Sequence, residues 1–241
     1  MKTLIVGASG ATGRLLVEQL LFARKEVKIL VRPSAHIPEL WQHNEQIHMV
    51  HRNIAEINSD EMAVIISDCD AVASCLGHNL TFKGLFGKPR RLVTNAIQLI
   101  CEAILQNNAD KPMKFVLMNT VGNQNRDLKE PISTAQKILM ALIRLFIPPH
   151  ADNEKASDYL RLQVGQVNPK IEWVVVRPDT LIDEEQLTDY SLHPSPTTSA
   201  VFKAGKTSRI NVAHLMSQLI LNDDIWKKWK GQMPVIYNKV E

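Results

Sequence analysis

Apolar residues along the chain gather into short runs, and the stretches between them carry helical spacing. The runs are TLIVGA (3–8), VKILVR (27–32), IHMVHR (47–52), DAVASCLG (70–77), KFVLMNT (114–120), IEWVVVRP (171–178) and MPVIYN (233–238). Most are almost unbroken, the mark of strands covered on both faces as in a parallel sheet. Helices are expected over 12–23, 59–67, 90–107, 134–146, 152–166 and 212–221, with Ser133 and Asn211 as N-caps. Strand–helix alternation with room for crossovers predicts an α/β fold: a doubly wound, mostly parallel sheet of the Rossmann type. No repeat or low-complexity linker interrupts it, so 1–241 reads as a single domain. The segment 179–209 breaks the rhythm and reads as loop and small-subdomain material at the carboxyl ends of the strands, where such sheets hold their ligands.

Composition narrows the class. An apolar content of 45% in 241 residues suffices for a sizeable core. No apolar run approaches the roughly 18 residues of a membrane span, and no leader precedes the first strand. The three cysteines, Cys69, Cys75 and Cys101, form no C-x-x-C pair, which points to reduced thiols in the cytoplasm and away from a disulfide frame or zinc. His48 and His51, three apart in a strand, point to opposite faces and make no metal site. A net charge of +3 is too small for a dedicated nucleic-acid binder. WKKWKG (226–231) reads instead as a surface helix with two packed tryptophans, and KGLFGKPRRL (83–92) as a loop near an anionic ligand.

The candidate chemistry begins at GASGATG (7–13). A strand feeding a tight turn and a helix presents free amides and the positive end of the helix dipole to an anion. Gly7 permits the turn, Gly10 leaves room for a pyrophosphate, and Gly13 lets the helix lie close on the strand. Ser9, Ala11 and Thr12 fill the turn, and the two hydroxyls can also meet a phosphate. The end of the second strand reads VKILVRPSA, with Arg32 where NAD-binding chains place a carboxylate. An arginine there suits a 2′-phosphate, so NADP(H) is the preferred cofactor and NAD(H) the alternative.

In order, GASGATG (7–13), LVRP (30–33), AVASCLG (71–77), FVLMNTVG (115–122), WVVVRPDTLID (173–183) and SRINVAHLMSQLI (208–220) resemble the atypical short-chain dehydrogenase/reductase superfamily. The likeness is to its NmrA-like or NAD(P)H-binding branch, similar in layout to the flavin reductase/biliverdin-IXβ reductase type. The resemblance implies that Leu76 and Gly77 flank the adenine-ribose and pyrophosphate path. It places Asn53 where relatives carry an aspartate touching the adenine, followed by Ile54. Asn119 and Thr120 take the place of the family's serine, with the Thr120 hydroxyl near the nicotinamide, and Pro178 lies beside the nicotinamide end.

The Tyr-x-x-x-Lys acid of ordinary short-chain dehydrogenases is missing. The corresponding stretch, IPPHADNEKASDYLRLQ (147–163), offers His150 with Glu154 one turn on, a carboxylate expected to raise the histidine's pKa. Two functional readings follow. In one, the protein reduces a small apolar or conjugated acceptor (quinone, flavin or carbonyl), with His150 and Thr120 assisting. In the other, it binds NADP(H) without turnover and reports cofactor state to a partner, as NmrA-like regulators do. An epimerase is disfavoured because the tyrosine dyad is absent. His78, after Gly77, is a lone histidine able to approach cofactor or substrate. KILMALIRLFIPP (137–149), too short for a bilayer, reads as core, pocket lining or dimer interface.

Overall fold

The computed structural model describes residues 1–78, 87, 90–107, 109, 111–128, 130, 133–199 and 204–239. Most of KGLFGKPRRL lies outside the described residues. The first half alternates β1 (Lys2–Val6), α1 (Ala11–Phe22), β2 (Glu26–Val31), a short α2 (Glu39–Gln42), β3 (Ile47–His51), α3 (Ser59–Ile66) and β4 (Ala71–Ser74). Then come α4 (Leu92–Gln106), β5 (Met113–Met118), α5 (Thr134–Phe146), α6 (Pro148–Tyr159) and β6 (Ile171–Pro178). The chain ends with β7 (Thr180–Ile182), β8 (Tyr190–His193), β9 (Lys206–Ser208), α7 (Arg209–Leu221), α8 (Asp223–Trp229) and β10 (Val235–Asn238).

Eight strands form one sheet in the order β3-β2-β1-β4-β5-β6-β10-β8. Neighbours pair in parallel throughout except at the β8 edge, which runs antiparallel to β10. The order reverses beside β1, so the crevice at the carboxyl end of β1 is the topological switch point. Side chains alternate between the sheet's two faces. Leu4, Val6, Phe115 and Trp173 pack with Ile97 and Ile100 of α4 on one face, whereas Ile5, Ile29 and Val116 meet Leu16 of α1 and Met216 of α7 on the other. Covered on both sides, the central strands carry few polar residues, Thr3, Ser74 and Arg177 among them, which explains their nearly unbroken apolar runs.

Several expectations are corrected. Asn211 is not an N-cap: Ser208 caps α7, its hydroxyl accepting from the Asn211 amide at 3.3 Å. The Asn211 side chain, buried in the helix, instead donates to Thr188 and Asn238 and accepts from the Thr188 amide. The sixth helix starts at Pro148, four residues before the expected start at Asp152, because prolines at its first positions need no intrahelical donor. It runs into a π-helical turn, Leu160–Val164, that ends at Gly165 with φ 78°. The segment 179–209 contains three strands, β7 to β9, that its breaker residues had masked. Ser133 does cap α5, accepting from the Gln136 amide at 3.1 Å. Trp226 and Trp229 are buried against the sheet, so the aromatics of WKKWKG are core residues and not stacking platforms.

Candidate functional site

Between β1 and α1 the chain turns on Gly7, at φ 82°. The turn is sterically committed to glycine, since a Cβ on Gly7 would lie 2.6 Å from the Cys75 carbonyl and one on Gly13 would lie 2.1 Å from the Gly7 oxygen. Gly13 is thus the contact through which α1 lies on the turn, not a lining residue of the cleft beside it. Gly10 is the N-cap of α1, with extended backbone, and no side chain caps the helix. Nor does the first turn carry an acidic residue. Its leading amides therefore face the cleft with the helix dipole unopposed, the arrangement that an anion satisfies.

That cleft, about 710 Å³, spans the carboxyl ends of β1 to β5. Gly7, Ser9, Gly10, Ala11 and Thr12 form its centre. Arg32, Asn53 and Ile54 line the β2–β3 half, and Leu76, Gly77 and His78 continue it past β4 toward Met118 at the end of β5. A Cβ on Gly77 would meet nothing within 4 Å, so that glycine leaves open space in the cleft. Arg32 is exposed and has no ion-pair partner among the described residues. Asn53 is less available: its Oδ1 accepts from the Ala55 amide at 3.2 Å and its Nδ2 donates to Glu56 at 2.8 Å.

Two cleft arginines escaped the sequence reading. Arg52, at the end of β3, lies 2.9 Å from Glu61, and Arg209, opening α7, lies 2.8 Å from Asp183. The signal for Arg52 was its place beside Asn53; Arg209 is brought in by a chain return that no local pattern announces. The donor set fits a dinucleotide: amides and hydroxyls at the centre, cations at the flanks, apolar Leu76, Leu92 and Met118 on the β4–β5 side.

The remaining expected residues lie elsewhere. Asn119, Thr120, Pro178 and His150 are not among the residues lining this cleft. Asn119 is buried and acts as a clamp: its Oδ1 accepts from the Thr120 amide at 2.9 Å and from Asn123, and its Nδ2 donates to the Asn153 carbonyl of α6 at 2.9 Å. Thr120 Oγ1 accepts from the Gly122 amide at 3.3 Å. The Pro178 carbonyl accepts from the Val121 amide at 2.9 Å, fixing the β5 loop to β6. A second cavity, about 320 Å³, follows that loop and is lined by Val121, Gly122, Gln124, Gln136, Met140 and Arg144, among others.

His150 sits behind this second cavity, its Cε1 3.1 Å from where a Gly122 Cβ would be. Its Nε2 is buried without a hydrogen-bond partner among the described residues. Glu154 pulls the His150 pKa up as expected, but the net direction is the reverse of the expected one: burial lowers it by more, and Arg144 adds to the lowering. Glu154 is already held by Arg144 at 2.6 and 2.7 Å and by Arg126 at 3.3 Å. Burial pushes its carboxyl up, but those hydrogen bonds and charges outweigh burial and leave it below the usual range. Of KILMALIRLFIPP, Met140 lines the cavity, while Ile138, Leu142 and Phe146 are exposed, so α5 is not a core helix.

The least expected group is Arg177, fully buried at the end of β6. It pairs with Glu130 at 2.6 Å and donates to the Met233, Asn123 and Pro194 carbonyls at 2.7, 2.9 and 3.0 Å. These bonds satisfy the guanidinium and tie the β5 loop to β6 and to the segment after β8.

Known proteins agree with this architecture. The family model described as NAD(P)H-binding matches residues 7–223. No curated protein matches the chain. Among solved structures, the oxidoreductase ylbE of Lactococcus lactis is similar with a TM-score of 0.71 at 17% identity, over 99% of this chain and 91% of its own. A short-chain dehydrogenase/reductase of Veillonella parvula, solved with NADP, gives 0.70 at 15% identity over 98% and 94%. ChuY, an anaerobillin reductase of Escherichia coli, gives 0.68 at 15% identity over 100% and 98%. At such identities the structures speak for the fold alone, and the family rests on the match to its model. With that match covering the glycine turn, the cleft and α7, the chain belongs to the NAD(P)H-binding family.

Proposed function

We propose that the protein is an NADP(H)-dependent reductase passing hydride to a small apolar or conjugated acceptor of the quinone, flavin or carbonyl class. The observation that carries this reading is the meeting, in one cleft, of an uncapped helix N-terminus with Arg32, a cation that no described carboxylate pairs with. The amides of Ala11 and Thr12 and the hydroxyls of Ser9 and Thr12 bind the pyrophosphate over Gly7 and Gly10. Arg32 takes the 2′-phosphate. Asn53 and Ile54 border the adenine, while Leu76 and Gly77 flank the ribose path. When bound, the dihydronicotinamide supplies the hydride. The chain's own task is to hold that ring over the β4–β5 half and exclude water beneath it with Leu92 and Met118.

The cavity behind Val121 and Gly122 suits the end of the acceptor remote from the reacting atoms, which meet the cofactor in the cleft, because Val121 and Met140 offer an apolar wall and Gln124 and Gln136 a polar edge. Thr120 and His150 border its walls and shape it. Three unpaired cysteines support a reducing compartment, the cytoplasm.

The second reading, a non-catalytic sensor of the NmrA-like kind, is favoured by one observation: the two side chains expected to assist chemistry, Thr120 and His150, do not line the cofactor cleft. Titration with NADPH and NADH, followed by loss of dihydronicotinamide absorbance against a panel of quinones, flavins and conjugated carbonyls, separates the readings. Oxidation with any acceptor supports the reductase. Tight binding without oxidation supports the sensor, and failure to bind either cofactor defeats both.

A further inference from the structure

Reducing a carbonyl or quinone requires a proton as well as a hydride, and the proposed function leaves its source open. Among the described residues lining the cleft, the titratable side chains are Cys75, His78 and the arginines Arg32, Arg52 and Arg209. Arginine does not give up its proton in proteins. Burial pushes the Cys75 thiol up to about 12. His78 is what remains.

Its position is built, not incidental. His78 follows Gly77 beyond the carboxyl end of β4 and shares the cleft with Leu92 and Met118, across the glycine turn from Arg32 and Asn53. Its Nε2 lies 2.8 Å from Asp152 Oδ2, with the two side chains only 6% and 1% exposed. Asp152, on α6, is itself fixed by the first turn of α4: its carboxylate accepts from the Val93 amide at 2.8 Å, the Thr94 amide at 3.0 Å and the Thr94 hydroxyl at 2.6 Å. Because a carboxylate can only accept, the hydrogen of this His–Asp bond sits on Nε2. Nδ1, which makes no hydrogen bond among the described residues, is the atom left to exchange a proton with a ligand. The helix that lacks Tyr-x-x-x-Lys thus still contributes the group that orients an acid.

Resting on the reductase reading, we propose that His78, aligned by Asp152, is the proton donor for the reduced acceptor. The acceptor carbon gains hydrogen with its electron pair from the reduced cofactor, which is oxidised. The ring enters this step with hydrogen on both nitrogens, and the negative charge developing on the acceptor oxygen is met by its Nδ1 proton. The ring is left neutral, with its other hydrogen still on Nε2, and recovers its proton from water. This narrows the acceptor class to those whose oxygen takes up a proton, namely quinones and conjugated carbonyls.

His78→Gln retains an N–H toward Asp152 but cannot cycle a proton. The expected result is NADPH affinity within about twofold of wild type and a fall of about 100-fold or more in quinone or enone reduction, the range of a general acid. In His78→Gly, added imidazole is expected to restore part of the rate. Independently of turnover, long-range proton–nitrogen NMR of the cofactor-free protein is expected to place the single hydrogen of the neutral His78 ring on Nε2. An unchanged rate in His78→Gln, no rescue by imidazole, or a neutral ring with its single hydrogen on Nδ1 instead of Nε2 overturns the assignment while leaving the reductase reading standing. Absence of NADPH oxidation by the wild type across the panel overturns the reductase reading itself.

Discussion

Replacing Arg32 with alanine tests the cofactor assignment most directly. The side chain is exposed at the end of β2, lines the cleft and has no described carboxylate within ion-pair reach, so its removal breaks nothing in the free protein. A charge-assisted hydrogen bond contributes about 1.5–3 kcal/mol, which at about 1.4 kcal/mol per decade predicts roughly 10- to 100-fold weaker NADPH binding. Exposure brings screening, so the loss should approach the lower figure near physiological ionic strength and grow as salt is diluted. NADH, lacking the 2′-phosphate, should bind within about twofold of wild type. Arg52→Ala provides the internal comparison: its guanidinium lies 2.9 Å from Glu61, so less of its charge is free for a ligand and its loss should be smaller. Fluorescence or calorimetric titrations with both cofactors at two salt concentrations measure all of this. Equal losses for NADPH and NADH, or an NADPH affinity indifferent to Arg32, would refute the reasoning.

Other consequences are equally open to measurement. Arg177→Met strands the buried Glu130 carboxylate and should cost about 3–5 kcal/mol, lowering Tm by roughly 6–20 °C, with much of the loss recovered on adding Glu130→Met; a stable single variant would contradict the packing described. Gly13→Ala, whose Cβ would lie 2.1 Å from the Gly7 oxygen, should displace α1 and abolish cofactor binding, as thermal melts with and without NADPH would reveal. Burial pushes the Cys69, Cys75 and Cys101 thiols up to about 12, so alkylation at mildly alkaline pH should be slow in the native protein and rapid once unfolded. Burial pushes Asp68 up, but hydrogen bonds from Lys28 and Lys2 prevail and hold its carboxyl well below the usual range. Its stabilisation is therefore present above the unfolded pKa and lost as pH falls, and Asp68→Asn should flatten the acid limb of a Tm–pH curve.

What the sequence made legible was local. The glycine turn could be read because its steric demand falls within seven residues, and the parallel strands because burial on both faces writes itself as an apolar run. Arg32 could be read because it directly follows a strand whose end has a known place in such sheets. The His78–Asp152 pair joins residues 74 apart, and Arg177 meets Glu130 across 47, so neither leaves a trace in periodicity or spacing. The proximity of His150 to Glu154 was legible as a matter of helical reach, yet its electrostatic outcome was reversed by burial of the imidazole, which local spacing does not reveal, with Arg144 adding to the lowering. The strands within 179–209 were hidden because each is only three or four residues long.

The Arg177 hub has an evolutionary corollary. With the guanidinium gripping Asn123 and Glu130 from one side and Met233 and Pro194 from the others, Asn123 and Glu130 cannot swing outward without stripping a buried charge of its partners. On the reductase reading, acceptor choice is then made by a mould set before the guest arrives. Diversification of such a mould proceeds by exchanging rim side chains such as Gln124 and Gln136, while the backbone beneath them stays put.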